Sequence, residues 1–414
     1  MFRTLNLLFI FLFLNVYSQN TKDDYLKKNS FNLRNQNFSF PEKDFSIIGF
    51  GAYHGSSKTY DAELKLIESL QKNNSIEYYI PETNFSQAFF FQKYLDNGDE
   101  ELLKELVLSF QTIVAQEGTI ETFNFWKKLR HLNTKYSNKP IKIIGFDVIN
   151  EYKFPIKHIL LLSQDINHWK TRDELDKIIS DNIDLSLSNE NLKKPLLDFI
   201  NDYENHKKNY NNNIRDTIIF NHIIQNISYN FQESRHREEI ITSNYVFLNN
   251  LYSLSSKKQF FKYGFFHIQK EKESGYAPFF NKLIENNIYS RKQVITIAGY
   301  LTKSKVLWNK IYDKKGNYTS YTIRRGYGIG DYWNEYFQGI KYLKKNKLSD
   351  ITLFKLNSNN TPYNIGFDLI EVKSFLKKNK QNNQTKSTID FIDYALLISD
   401  SENQIPIEEF KGFN

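Results

Sequence analysis

Four short apolar runs in this chain each lead into a titratable residue, and helical stretches lie between them. Phe45-Ser46-Ile47-Ile48-Gly49-Phe50 enters Gly51-Ala52-Tyr53-His54-Gly55, and Ile76 to Ile80 enters Pro81-Glu82. Ile141 to Phe146 enters Asp147, and Gln259 to Phe266 enters His267. Short apolar runs bounded by turn residues read as buried strands, and strands alternating with helices build βαβ units. The fold class expected is therefore α/β, a mostly parallel sheet flanked by helices with a helical insertion. Parallel strands share one carboxyl edge, where open α/β sheets put their binding crevice. His54, Glu82, Asp147 and His267 are expected to converge there.

The helical pattern at 57–73 keeps Leu64, Ile67 and Leu70 on one face, and further helices are expected at Ser86 to Leu95, Glu100 to Val114 and Ile120 to Tyr136. From about 152 to 255 strand signals vanish and helical periodicity dominates, the last helix being read at 232–255. The domain reading is an α/β core from 19–151 and 232–414, interrupted by a helical insertion at 152–231. Strand signals resume at 259–266 and 293–298, then weakly at 319–323, 350–355 and 392–398. A flexible loop is expected at Gly326-Tyr327-Gly328-Ile329-Gly330, and low complexity is confined to Lys377 to Lys386.

The first 18 residues read as a signal peptide. Met1-Phe2-Arg3 is a basic start, Leu5 to Val16 is apolar but for Asn6 and Asn15, and Val16-Tyr17-Ser18 suits cleavage after Ser18. The stretch is too short to span a bilayer and no later one reaches the length needed. An exported (periplasmic or secreted) protein with no membrane span is expected. Without cysteine there are no disulfides, thiolate nucleophiles or thiolate metal sites. The net charge of +8 is scattered among acidic residues rather than clustered, which argues against a nucleic-acid partner. A small-molecule substrate or ligand is the partner expected.

Gly49-x-Gly51-x-x-x-Gly55 departs from the dinucleotide-binding spacing and carries a bulky Tyr53, so no nucleotide cofactor is assigned. There is no G-x-S-x-G elbow and no H-E-x-x-H pair. His54 lies between small residues at a strand-to-helix turn, where an imidazole suits proton transfer; the competing reading is a structural histidine. Glu82 reads either as a site carboxylate or as an anion at the start of the next helix. Asp147 reads as a site residue or a cap, and His267 as a site residue or a buried histidine bonded to backbone. Phe260, Phe261, Tyr263, Phe265 and Phe266 would give an organic substrate apolar contact area.

The segment Ile47 to Gly55, with Tyr79-Ile80-Pro81-Glu82 after the next helix, resembles the erythromycin esterase family, whose first motif reads roughly G-E-x-(x)-H-G. Phe125-Trp126-x-x-Leu129-Arg130-x-x-Asn133 and Ile144-Gly145-Phe146-Asp147 resemble its W-L-R-x-x-N segment and G-F-D strand end. Arg237-Glu238-x-x-Ile241-Thr242-x-Asn244 is similar to its R-D-x-x-M-A-x-N helix, and Gly264-Phe265-Phe266-His267 takes the place of H-N-x-H. The resemblance implies a metal-independent hydrolase with no cofactor, in which His54 is general base toward water at an ester or lactone carbonyl. Glu82 would stabilise its imidazolium and His267 would polarise the carbonyl. Tyr53, Asp147, Arg237 and Phe265 would contact substrate. Two departures stand out: Gly51 or Ala52 replaces the motif's glutamate, and Gly264-Phe265 replaces its histidine and asparagine. These predict weak macrolide hydrolysis that Ala52→Glu should raise. A non-catalytic ligand-binding protein using the same cleft is the second reading, and a divalent-metal hydrolase built on His54, Glu82 and His267 the third.

Overall fold

The structure, a computed structural model, describes residues 21–74, 76–110, 114–166, 168–181, 183–234, 236–273, 275–325, 330–374 and 386–410. The signal segment at 1–18, residues 326–329 of the glycine-rich loop and 377–385 of the low-complexity stretch lie outside the described residues. In chain order the strands are β1 (Ser30–Asn32), β2 (Ile47–Gly51), β3 (Tyr78–Pro81), β4 (Lys142–Ile143), β5 (Gln259–Tyr263) and β6 (Val294–Thr302). They continue with β7 (Val306–Tyr312), β8 (Tyr318–Arg324), β9 (Glu335–Phe337), β10 (Ile351–Lys355), β11 (Val372–Ser374) and β12 (Tyr394–Ser399). The chain divides into two compact units, Met1–Ile76 with Ser255–Ile405 and Glu77–Leu254 with Pro406–Asn414.

In the first unit the strands run in the order β1-β10-β12-β6-β2-β5. β12, β6, β2 and β5 are parallel, while β10 and β1 add an antiparallel edge. β2, β5, β6 and β12 are buried at every position, as near-continuous apolar runs require when both faces are covered. The helix Ser57–Asn74 buries Ala62, Leu66, Ile67 and Leu70. Leu64, expected on that face, is only half-buried. β7 pairs with β8 and β9 with β11, each antiparallel and separate from the main sheet.

β5 stops at Tyr263, short of the run that extends to Phe266. Residues 265–268 instead form a turn, in which His267 N donates to Gly264 O at 3.2 Å. That turn lies against the end of β2. A Cβ on Gly51 would sit 2.8 Å from the Phe265 Cα, and one on Gly49 would sit 2.5 Å from Phe280 Cε2. Only glycine admits so close an approach at both places.

The second unit holds β3 and β4, parallel, with Tyr78 opposite Lys142 and Tyr79 opposite Ile143. β4 is two residues long rather than the six expected from 141–146. Side-chain amides take over its backbone. Asn133 accepts from Ile141 N at 2.9 Å and donates to Ile141 O at 2.8 Å, and Gln92 Oε1 accepts from Ile143 N at 2.9 Å. Such pairing blunts a strand that would otherwise offer open hydrogen-bonding groups. The helices Phe85–Asn97, Glu100–Ser109 and Ile120–Lys135 fall on the expected segments, the second ending at Ser109 rather than at the Val114 expected, with Asn84, Asp99 and Thr119 as side-chain caps. The helices Lys153–Leu162, Lys170–Ser180, Lys193–Tyr210 and Thr217–Ser228 contribute to one hydrophobic cluster, in which Trp169 stacks on Tyr210 at 3.9 Å between ring centroids. The last helix of the helical stretch is Arg237–Tyr252, shorter than the 232–255 expected. Among the described residues no helix is long and apolar enough to cross a membrane.

Candidate functional site

His54 and His267 both belong to the first unit. Gly51, at the end of β2, is in register with Tyr263 at the end of β5 and with Ala298 in β6. β5 and β6 precede and follow each other in the chain yet flank β2 on opposite sides, so the carboxyl end of β2 is a point where the chain diverges. Ligand crevices of open α/β sheets form outside such points. The chain leaves β2 through Ala52 and Tyr53 to His54, and both Tyr53 and His54 are half-buried. Gly55 follows with φ +87°, and a Cβ there would meet Leu307 O at 2.5 Å. This glycine sets the turn that carries His54. His267 is also half-buried, edge-on to Tyr263 and Phe266 with centroids 5.8 and 5.9 Å away, and its carbonyl accepts from Phe280 N at 3.0 Å.

Tyr53 and Phe265 contribute to an aromatic cluster with Tyr300 and Phe337, two residues the sequence reading did not single out. Phe265 lies 5.9 Å from each of Tyr300 and Phe337, Tyr300 lies 4.9 Å from Phe337, and Tyr53 lies 6.4 Å from Phe337. The fully buried Tyr300 donates to Leu369 O at 2.5 Å, and burial raises its phenol well above the ordinary range. Its sequence signal was weak because the strand reading at 293–298 stopped two residues before it, whereas β6 runs on to Thr302.

Glu82, Asp147 and Arg237 come together in the second unit. Arg237 Nε and Nη2 donate to the two oxygens of Asp147 at 2.9 and 2.5 Å, a bidentate fork. Nη2 also donates to Glu82 Oε1 at 2.6 Å. Burial alone would lower the Arg237 guanidinium, but Asp147 and then Glu82 outweigh it and raise it above its ordinary value. The side chain of Asp147 is 2% exposed, against 19% for Glu82 and 37% for Arg237.

The backbone explains why these residue types stand here. Gly145 lets the strand exit press on the turn after β3, since a Cβ would fall 2.4 Å from Thr83 O. Asp147 N donates back to Thr83 O at 3.0 Å. Two turns along the helix from Arg237, Asn244 donates to Phe146 O at 2.9 Å and exchanges hydrogen bonds with Asn226 at 3.1 and 2.7 Å. The helix therefore clamps Phe146-Asp147 from both ends of one face. Read as a substrate contact, Arg237 has Nε and Nη2 already engaged by carboxylates. Glu82, read as partner to a histidine, has Oε1 held by Arg237. Among the described residues no group of three or more histidines, aspartates and glutamates is arranged to hold a metal ion.

The fold is thus a mostly parallel α/β fold with two histidines on loops at the carboxyl edge of adjacent central strands. No family model matches the chain, and no curated protein matches it. Solved structures do. A Bacillus cereus protein is similar at a TM-score of 0.61 and 13% identity, over 94% of this chain and 99% of that one. A succinoglycan biosynthesis protein is similar at 0.58 and 12%, over 94% and 98%. A mutant of an erythromycin esterase, solved in its open conformation, is similar at 0.58 and 13%, over 89% and 93%. At these identities the likeness is one of fold.

Proposed function

We propose that this chain is an exported hydrolase of an ester, lactone or related carbonyl compound, with His54 as general base. One observation carries the reading: the loops bearing His54 and His267 leave adjacent parallel strands at one edge, with Gly51 in register with Tyr263. The likeness in fold to an erythromycin esterase agrees with it. In this scheme His54 takes a proton from water as the water oxygen bonds to the carbonyl carbon and the C=O pair moves onto oxygen. A ring N–H of His267 donates to that oxyanion. The intermediate collapses, the C–O bond to the leaving group breaks, and the His54 imidazolium returns its proton to the departing alkoxide. The cluster of Tyr53, Phe265, Tyr300 and Phe337 gives the substrate an apolar wall. Glu82 and Asp147 take no step here; with Arg237 they brace the strand exit that carries Asp147.

A second reading, ligand binding without turnover, is favoured by a separate observation. Neither Gly51 nor the buried Ala52 has space around it for the glutamate of the esterase motif. Hydrolysis of 1-naphthyl and p-nitrophenyl esters by the purified protein and by His54→Ala separates the two. The hydrolase reading expects turnover that falls by about 10²- to 10⁴-fold in the variant. Absence of turnover in the unaltered protein, or equal rates in both, contradicts it. Export is checked by mass spectrometry of protein from the native host. The N-terminus is expected within a few residues of Gln19, and an intact Met1 refutes it.

A further inference from the structure

The second unit contains a cavity of about 640 Å³ between the β4 segment, the helix Phe85–Asn97 and the end of the helix Ile120–Lys135. Its size is that of a small-molecule site. Tyr78, Phe85, Phe89, Leu95 and Tyr252 give it apolar walls. Arg130 lines it too, and this side chain is unusual among the charged groups of the molecule.

No carboxylate among the described residues lies within ion-pair distance of Arg130. Its Nε is buried and meets no hydrogen-bond acceptor among them. Asp96, on the same wall, instead accepts from Gln92 Nε2 at 2.7 Å. The guanidinium is nonetheless held in one place. It packs against Gly98, the left-handed cap of the helix Phe85–Asn97, where a Cβ would fall 2.6 Å from Cζ. Lys142 adds a second cation to the lining, so Arg130 and Lys142 face the single carboxylate of Asp96. An unpaired buried donor is costly, and a planar guanidinium fixed beside apolar walls is suited to an oxyanion that brings an apolar body with it.

We propose that this cavity binds a small aromatic carboxylate. Its carboxylate accepts from the Arg130 fork, and its ring lies against Phe85, Phe89 and Leu95. The site belongs wholly to the second unit and does not depend on the hydrolase reading.

The test is calorimetric titration of the full chain with 2-naphthoate and with its neutral counterpart 2-naphthamide. Naphthoate should bind at least about 10-fold more tightly, because a hydrogen bond to a charged partner is worth about 1.5–3 kcal/mol. Arg130→Gln should weaken naphthoate by about 10- to 100-fold and leave naphthamide within about twofold. Arg130→Lys, which keeps the charge, should fall between. Equal affinity for the two compounds in the unaltered protein overturns the proposal without recourse to any variant. So does naphthoate binding that survives Arg130→Gln, and binding that survives there but is lost in His54→Ala would assign the naphthoate to the hydrolytic loop instead. No binding of naphthoate at millimolar concentration overturns it as well.

Discussion

Gly51 stands where the esterase motif carries its glutamate if the turn is gapped one way, and Ala52 if it is gapped the other. At Gly51 the first side-chain atom already collides with the Phe265 backbone, and Ala52 is 2% exposed beside Gly299, where a Cβ would lie 2.8 Å from that of Ala52. Ala52→Glu should therefore lower stability by about 2–3 kcal/mol, as overpacking and an uncompensated buried carboxylate both act on it. Urea unfolding measures this, and an unchanged midpoint would show that the loop opens to admit the acid. That cost stands against the rise in rate expected from restoring the motif. Arg237→Gln should also destabilise, by about 2 kcal/mol. This is below the range for breaking a fully buried pair, since the guanidinium is 37% exposed and partly screened. Thermal melts of Arg237→Gln and Asp147→Asn, singly and together, check it: the double variant should be no worse than the sum of the singles. The strand-to-helix turn that carries His54 was legible in sequence because glycines bracket it at a strand end. The roles of Arg237 and Asn133 were not, because a hydrogen bond to a backbone or carboxylate far along the chain leaves no local trace.

At the scale of elements, β2, β5 and β6 were readable because strands buried on both faces are largely apolar, while β12 gave only a weak signal. Their ends were less so. β4 and β5 are cut short by partners distant in sequence, the amides of Gln92 and Asn133 for one and the close approach at Gly51 for the other. β1, β9 and β11 are three residues each, too short to carry a pattern, and β8 is largely exposed. Within the helical elements, burial depresses His158 to about 3 and His222 to about 4. His158 stacks on Phe89 at 4.0 Å and His222 on Phe247 at 4.5 Å. A depressed histidine gives stability that is full above the unfolded value of about 6.5 and is lost as the pH falls, because the unfolded chain takes up the proton first. Each should lose about 2 kcal/mol between pH 7 and pH 5. Glu151 acts in the opposite sense. Burial, only partly offset by the Lys153 N–H at 2.7 Å, raises it to about 8, so its contribution is full below pH about 4.5 and fades as the pH rises toward 8. Glu151 should gain about 2.5 kcal/mol over the same range, so acidification from pH 7 to pH 5 should cost a net of about 1 kcal/mol. Urea midpoints at the two pH values should draw together in His158→Phe and move apart in Glu151→Gln, and parallel shifts in both variants would show that neither group is responsible.

For the whole molecule, the α/β class and the mostly parallel sheet were legible, because alternating strand and helix patterns admit few arrangements. The start of the second unit at Glu77 was not, since strand and helix signals alternate on both sides of it, whereas its end at Leu254 falls where strand signals resume. Of the residues read from sequence, Tyr53, His54, Phe265 and His267 fall in the first unit, and Glu82, Asp147 and Arg237 in the second. The proposed hydrolysis draws on the first set alone, with His54 and His267 acting on one substrate from adjacent strand ends. A double-mutant cycle on ester hydrolysis tests it most directly. Residues that serve one transition state are strongly non-additive. His54→Ala and His267→Ala should each lower kcat/KM, and the double variant should be little slower than His54→Ala. Effects that multiply, or a His267→Ala variant with the full rate, would contradict it.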